Sequence, residues 1–524
     1  VSSPEYAESR ADGVTRRGRI ERVPLRVPRN DWSMLTPPTI GRWTPTRTIS
    51  VVIPARGHPE GVAATLAALA AQTYPAHLVE VVVVDDHSRP PLAPPPLRPE
   101  RCRVETAPAG GWGAGHARAY GAHVTSGDIL CWLDAGLTVG PAHLEAHARW
   151  QHAHAECVTV GRVRPALPPQ AAAAPGAPGV PQGGPGHFDH LGFTAYTGAS
   201  AALRRSLYEA AGGVDPALDL GQDTEFGYRL WQAGALLVPE PAADAHRCAA
   251  NPATRTRVPS PRYHREVLAE LMPHPRTHRA PLPAHRRRVP LVRAVVDAAG
   301  GRYETVRGCV DRLLEGGEDD LAVTLVADWD AGVGAADAPA LDLRLLQAAY
   351  LGDPRVRFAA IAPRTGFPSP YLLEVPAGWG LGPTALAGLL ARAERSRAGL
   401  TELVPDPPAA ARAPVRLWTT RALTRALRVR TLGEDPADVV AELHGRYRVR
   451  AGGGALVDLD GPPPPRTPGL PGRPAEAAGE REGGADPDAE AGRTAPAAPA
   501  GRGPEGPLRR MLSALRGPFR RRGR

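Results

Sequence analysis

Three aspartates stand where strand-like runs end. VEVVVVDD (79–86) finishes on Asp85 and Asp86, and DILCWLD (128–134) finishes on Asp134. Open parallel sheets bind ligands outside the carboxyl ends of their strands. A carboxylate there can accept hydrogen bonds from a base or ribose, or hold a divalent cation. On the residues alone, Asp-Asp after a strand is equally a turn or a helix cap. Three more residues could carry charge or a proton: Arg118 in GHARAYGA, Asp223 in GQDTEF and His246 in PEPAADAHR. Taken singly, each has an ordinary reading. Asp223 suits the cap of a helix over 224–234 with Glu225 in its first turn, His246 is a loop histidine, and Arg118 is as readily a solvated helix residue as a phosphate contact.

The surrounding elements give these residues a frame. ISVVIPA (49–55) has the β-branched texture of a buried parallel strand, GVAATLAALAAQ (61–72) has helical spacing, and the run 79–86 is a second buried strand. Strand, crossover helix and strand within about 40 residues make a βαβ unit. Residues 165–186 are a Pro/Gly/Ala insertion too poor in large apolar groups to pack. Tyr228 and Trp231 read as core residues of the helix after Asp223.

A second patterned region repeats the first. VPLVRAVVDA, ETVRGCVDRLLEG and DLAVTLVADWD follow one another from Val289 in the same order and spacing. LDAGLTVGPAHL (133–144) lies against VPAGWGLGPTAL (375–386), and LGQDTEF (220–226) against LGEDPAD (432–438). Three matches in one order imply a diverged tandem duplication. The chain therefore divides into a basic arm 1–48, a first α/β domain 49–260, a linker 261–288, a second α/β domain 289–460 and a tail 461–524. The tail has 13 Pro and 11 Gly within residues 462–524, a composition that implies disorder.

Composition excludes several classes. All 63 basic residues among the 524 are arginine, so no P-loop lysine exists to reach a phosphate. GGWGAG (110–115) has the wrong spacing and position for a dinucleotide fingerprint. Five scattered cysteines without CxxC argue against a disulfide framework or thiolate zinc site and favour a reducing compartment. No apolar run approaches the ~20 residues of a membrane span, so a cytoplasmic location is expected. The net charge of +9 lies wholly in the flanking segments, because residues 49–461 hold 42 arginines and 42 acids. The end LRRMLSALRGPFRRRGR could touch an anionic inner membrane face. No nucleic-acid motif is present.

The order of segments resembles family 2 glycosyltransferases. VVIPARG, LAALAAQTYP and VEVVVVDDHS match the family's opening, followed by GGWGAGHARAYGAHVTSGDILCWLDAG and TGASAALRRSLYEAAGGVDPALDLGQDTEFGYRLWQAG. The resemblance covers residues 49–248 and implies a GT-A fold, an α/β nucleotide-diphospho-sugar transferase domain. A degenerate GT-A-like copy follows it. By this likeness Pro54, Ala55, Asp85 and Asp86 grip the donor's base and ribose, and Arg118 approaches the donor. Asp134 is the first carboxylate of an Asp-x-Asp metal and diphosphate motif, Asp223 is the general base, and His246 is a late metal ligand. The implied reaction is hexosyl-type transfer from a nucleotide-diphospho-sugar to the hydroxyl of a glycan, lipid-linked or small-molecule acceptor, with inversion and with Mg²⁺ or Mn²⁺.

Four positions depart from the family pattern. Gly136 replaces the second Asp of Asp-x-Asp, Gln222 the Glu before the base, and Ala119 the Asn after the arginine. In the second copy Pro376 replaces even the first Asp, while Asp435 survives, so that copy reads as structural or acceptor-binding. These departures weaken the cation site and keep open a transferase that works without a metal, or a non-catalytic pseudo-glycosyltransferase that serves as a binding or scaffold partner.

Overall fold

A computed structural model of the chain describes residues 25–164, 192–218, 220–248, 261–274, 287–330, 337–405 and 413–460. The insertion 165–186 and the tail 461–524 lie outside them.

The continuous apolar runs are strands covered on both faces. Strands β1 (Ile49–Ala55), β2 (Val79–Asp85) and β4 (Ile129–Leu133) alternate between two cores. Val52, Val82, Val84, Leu130 and Trp132 enter one, beside Ala117 and Ala122 of helix α2 (Gly113–His123). Val51, Ile53, Val81, Val83, Cys131 and Leu133 enter the other. There they meet Val62 and Leu66 of α1 (Pro59–Ala70), and Leu144 and Ala148 of α3 (His143–Ala153).

The remaining strands of this sheet are β3 (Cys102–Thr106), β5 (Leu137–Val139), β6 (Cys157–Arg164), β7 (Ser200–Arg204) and β8 (Leu236–Arg247). The order is β3-β2-β1-β4-β7-β6-β8-β5. β1 runs parallel to β2 and β4, and β7 is antiparallel to β4 and β6. Helices α4 (Arg205–Ala210) and α5 (Gln222–Gln232) follow β7, and α5 precedes β8. Helix α6 (Pro261–Leu271) falls in the expected linker, yet its Leu268 and Leu271 join the first core, as does Met272 just beyond it.

A second sheet contains β9 (Val292–Asp297), β10 (Leu321–Val326), β11 (Val356–Ala359), β12 (Tyr371–Val375), β14 (Leu400–Val404), β15 (Val415–Thr419) and β16 (Arg446–Arg450). Its order is β11-β10-β9-β12-β15-β14-β16. Position by position this is the first sheet's order. The directions also agree: β9 is parallel to β10 and β12, and β15 is antiparallel to β12 and β14. A small antiparallel pair, β13 (Trp379–Leu381) with β17 (Leu456–Asp458), stands where β5 pairs with β8. The helices are α7 (Tyr303–Leu314), α8 (Ala338–Tyr350), α9 (Ala385–Ser396), α10 (Thr420–Val429) and α11 (Pro436–His444).

The described part of the N-terminal arm is packed rather than loose. Val27 and Asn30 are buried. Asn30 exchanges two 3.0 Å hydrogen bonds with the backbone of Leu237, while the Arg29 N–H donates to Leu443 O at 3.0 Å. Residues 25–31 thus touch both halves. No described helix is long and apolar enough to cross a membrane.

Candidate active site

Strands β2, β1 and β4 are neighbours in the sheet, so the residues after them share one edge. Pro54 is part-buried opposite Val84; the ladder to β4 ends at Val52, so its missing N–H breaks no pairing there. Ala55 accepts the Asp86 N–H at 2.8 Å.

The two adjacent aspartates do different work. Asp85 accepts the Ser88 N–H at 2.9 Å and the Ser88 hydroxyl on Oδ1, and the Leu92 N–H at 3.0 Å on Oδ2. Ser88 Oγ in turn accepts the Gly57 N–H at 2.7 Å. Asp85 therefore ties together the loops after β1 and β2. Asp86 is 4% exposed, and its Oδ2 accepts the Gly113 N–H at 3.0 Å, with the Arg56 guanidinium at 3.5 Å. Its Oδ1 is buried without a partner among the described residues. A buried acceptor left unmet costs about 1–3 kcal/mol, and an N–H or O–H of a bound nucleoside would meet it.

Arg118 organises the other side of the edge. It is 3% exposed and donates from Nη2 to Asp134 Oδ1 and from Nη1 to Asp223 Oδ1, both at 2.8 Å. The Asp223 Oδ2 accepts the Gly198 N–H at 2.9 Å. A Cβ on Gly198 would stand 2.5 Å from Arg118 Cζ, so only glycine lets the guanidinium pass. Of the two readings open for Arg118, the solvated one gives way to a buried bridge. Burial opposes its charge, but Asp223 and then Asp134 outweigh that and raise its pKa. Burial lifts the Asp134 carboxyl above its ordinary range; Arg118 opposes the lift and Asp223 adds to it.

Asp223 is not the helix cap. The cap of α5 is Gly221, in the left-handed region at φ 77°, and Asp223 lies in the first turn. Tyr228 and Trp231 are core residues, as expected. The far end of α5 is held by the second half: Tyr228 Oη donates to Pro368 O at 2.9 Å, and Arg421 lies 3.4 Å over the Trp231 ring. Arg421 also donates to Trp231 O and Ala235 O.

The expected metal ligands do not assemble. His246 is 57% exposed and pairs with Asp244 at 3.1 Å; Arg162 and Arg164 share that carboxylate. Successive strand residues face opposite sides. It is therefore Arg247, which the sequence reading passed over, that faces Asp134, with Nη2 to Oδ2 at 3.9 Å. Gly136 has φ 83° and donates its N–H to Thr65 Oγ1 at 3.0 Å. No group of three His, Cys, Asp or Glu suited to a metal exists among the described residues. A dication on Asp134 would have one carboxylate for a ligand and two guanidiniums for neighbours, a donor set that does not fit Mg²⁺ or Mn²⁺.

Residues 50–212 match the family model described as glycosyl transferase family 2. This stretch is a family 2 glycosyltransferase domain, and its α/β half is a GT-A fold. Solved structures with similarity include "GalNAc-T7 with UDP, GalNAc and Mn2+" at 19% identity, covering 43% of this chain and 48% of that one, TM-score 0.31. "S. aureus TarS 1-349 in complex with UDP-GlcNAc" is 17% identical over 43% and 65%, TM-score 0.34. A mannosyltransferase from Pyrobaculum calidifontis with GDP-Man and Mn2+ is 19% identical over 44% and 62%, TM-score 0.30. The chain thus spans about half to two thirds of these proteins' length, and likeness at such scores adds no argument to the family match. No curated protein matches the chain.

Proposed function

We propose that the chain transfers a sugar from a nucleotide-diphospho-sugar to an acceptor hydroxyl with inversion, using Asp223 as general base. The carrying observation is the freedom of Asp223 from helix capping: its carboxylate stands at the strand-end crevice, joined through Arg118 to Asp134. The acceptor O–H gives its proton to Asp223 as the oxygen bonds the anomeric carbon. The bond from that carbon to the diphosphate breaks, and the nucleoside diphosphate leaves. Asp86 Oδ1 is the acceptor offered to the nucleoside, and Pro54 and Ala55 form the adjoining wall. Residues 49–271 form the transferase domain in this reading. Residues 289–460 are its diverged duplicate, supported by the common strand order and directions; that duplicate braces α5 from behind.

The test is a donor screen reading nucleoside diphosphate release from wild type and Asp223→Asn. The variant keeps an acceptor for Arg118 but cannot take a proton, so turnover falls about 10²–10⁴-fold. One observation favours the scaffold reading: both carboxylates are already engaged by Arg118. Nucleotide-sugar binding without release, equal in both proteins, would establish that reading instead.

A further inference from the structure

Position 136, where the family pattern sets the second carboxylate of Asp-x-Asp, is glycine, and an arginine stands beside it. The antiparallel ladder of β5 and β8 sets Arg247 opposite Leu137, one residue beyond Gly136. The Cys248 N–H donates to Gly136 O at 3.0 Å, so the backbones of 136 and 247–248 are pinned side by side. Gly136 offers no side chain. Arg247 projects toward Asp134 with 31% of its side chain exposed, and its 3.9 Å separation from Asp134 is too long for a hydrogen bond. Its N–H groups are thus positioned to turn to an incoming anion. Arg56, 59% exposed at the end of β1, brings another guanidinium to the same row of strand ends.

We propose that Arg247 neutralises the diphosphate of the donor in place of a divalent cation, so that donor binding is independent of metal. The inference rests on the transferase reading. Guanidinium matches phosphate oxygens with paired, charge-assisted N–H donors. It also supplies positive charge where the leaving diphosphate gains negative charge. His246 cannot take this part, because it faces Asp244 on the opposite side of β8.

The test is calorimetric titration of the full chain with UDP and with GDP, in EDTA and again in Mn²⁺ or Mg²⁺. Binding of at least one nucleotide with the same affinity in EDTA and in metal is expected. Arg247→Gln should weaken it about tenfold or more, and Arg247→Lys should recover part of that loss by restoring the charge. Arg162→Gln removes a guanidinium from the Asp244 side of β8 and should change nothing. Thermal melting of each variant confirms that it folds. Binding that needs Mn²⁺ or Mg²⁺ overturns the inference and leaves the transferase reading standing. An equal loss in Arg162→Gln and Arg247→Gln overturns it as well, by reducing the effect to general charge. Failure of both nucleotides and of a wider nucleoside diphosphate panel under every condition overturns the transferase reading and this inference together.

Discussion

Asp223 and Asp435 occupy matching positions in the two halves and have different occupations. Each follows Leu-Gly-x, and each preceding glycine is left-handed, Gly221 at φ 77° and Gly433 at φ 88°. Asp435 is the N-cap of α11, at φ −70° and ψ 124°, and accepts the Ala437 N–H at 2.8 Å. Asp223 is already inside α5, and its carboxylate leaves the helix to meet Arg118 and the Gly198 N–H. The next residue explains the difference. Pro436 favours the first helical position and holds the residue before it extended, which makes Asp435 a cap. Thr224 imposes no such limit, so α5 starts two residues earlier relative to the match, and Asp223 is free for the crevice. The second half also has Pro376 in the place of Asp134. Its edge therefore keeps the architecture without a counterpart of the Asp134 carboxylate.

Making the first half resemble the second here is the strongest way to break the comparison. Thr224→Pro should turn Asp223 into a cap and pull its carboxylate off Arg118. Misplacing a catalytic group by about 1 Å costs on the order of 10²-fold, and turnover should fall by that much or more while the chain stays folded. Unchanged turnover would detach Asp223 from the chemistry. Arg118→Met comes next. It leaves Asp134 and Asp223 facing each other without their shared cation, and about 2–3 kcal/mol of stability should go, less than for a wholly buried pair because both carboxylates are about a third exposed. Denaturant melting reads this, and a midpoint equal to wild type would mean that the bridge holds nothing together.

Much of this contrast could be read along the chain, and some could not. The strands, the crossover helix and the aspartates at strand ends follow from texture and order. The second half's topology follows from spacing that repeats the first. Arg118 was legible as a helix residue or a donor contact but not as a bridge between carboxylates, because its partners lie 16 and 105 positions away and no local pattern links them. Asp85 and Asp86 look equivalent until the loop 86–92 closes on one of them. His246 and Arg247 could have been told apart in advance only by knowing which face of β8 looks at Asp134. Alternation allows one of the two, and the residue type pointed to the wrong one.

The cap in the second half makes a smaller prediction. Asp435→Ala removes the side-chain acceptor for the Ala437 N–H, and a lost N-cap costs about 1 kcal/mol. Thermal or denaturant melting should show that loss, and nucleoside diphosphate release should not change. A loss of turnover without a loss of stability would give the second half a chemical role and erase the contrast with Asp223.

Gly136→Asp should have the smallest effect and makes the sharpest distinction, because it restores the residue type that the family pattern places there. Space is not the obstacle: a Cβ at 136 would meet nothing nearer than the His58 ring at 3.8 Å. The backbone is, since φ 83° favours glycine; an L-residue pays roughly 1–2 kcal/mol there, and aspartate is among the few that visit the region. If the missing carboxylate alone kept a cation away, this variant should bind nucleotide more tightly when Mn²⁺ is added. If Arg247 holds the position, the new carboxylate pairs with that guanidinium and EDTA still makes no difference. Metal dependence then emerges only when Arg247→Ala is added. The single and double variants together therefore separate an arginine that replaces a cation from a glycine that merely fails to bind one.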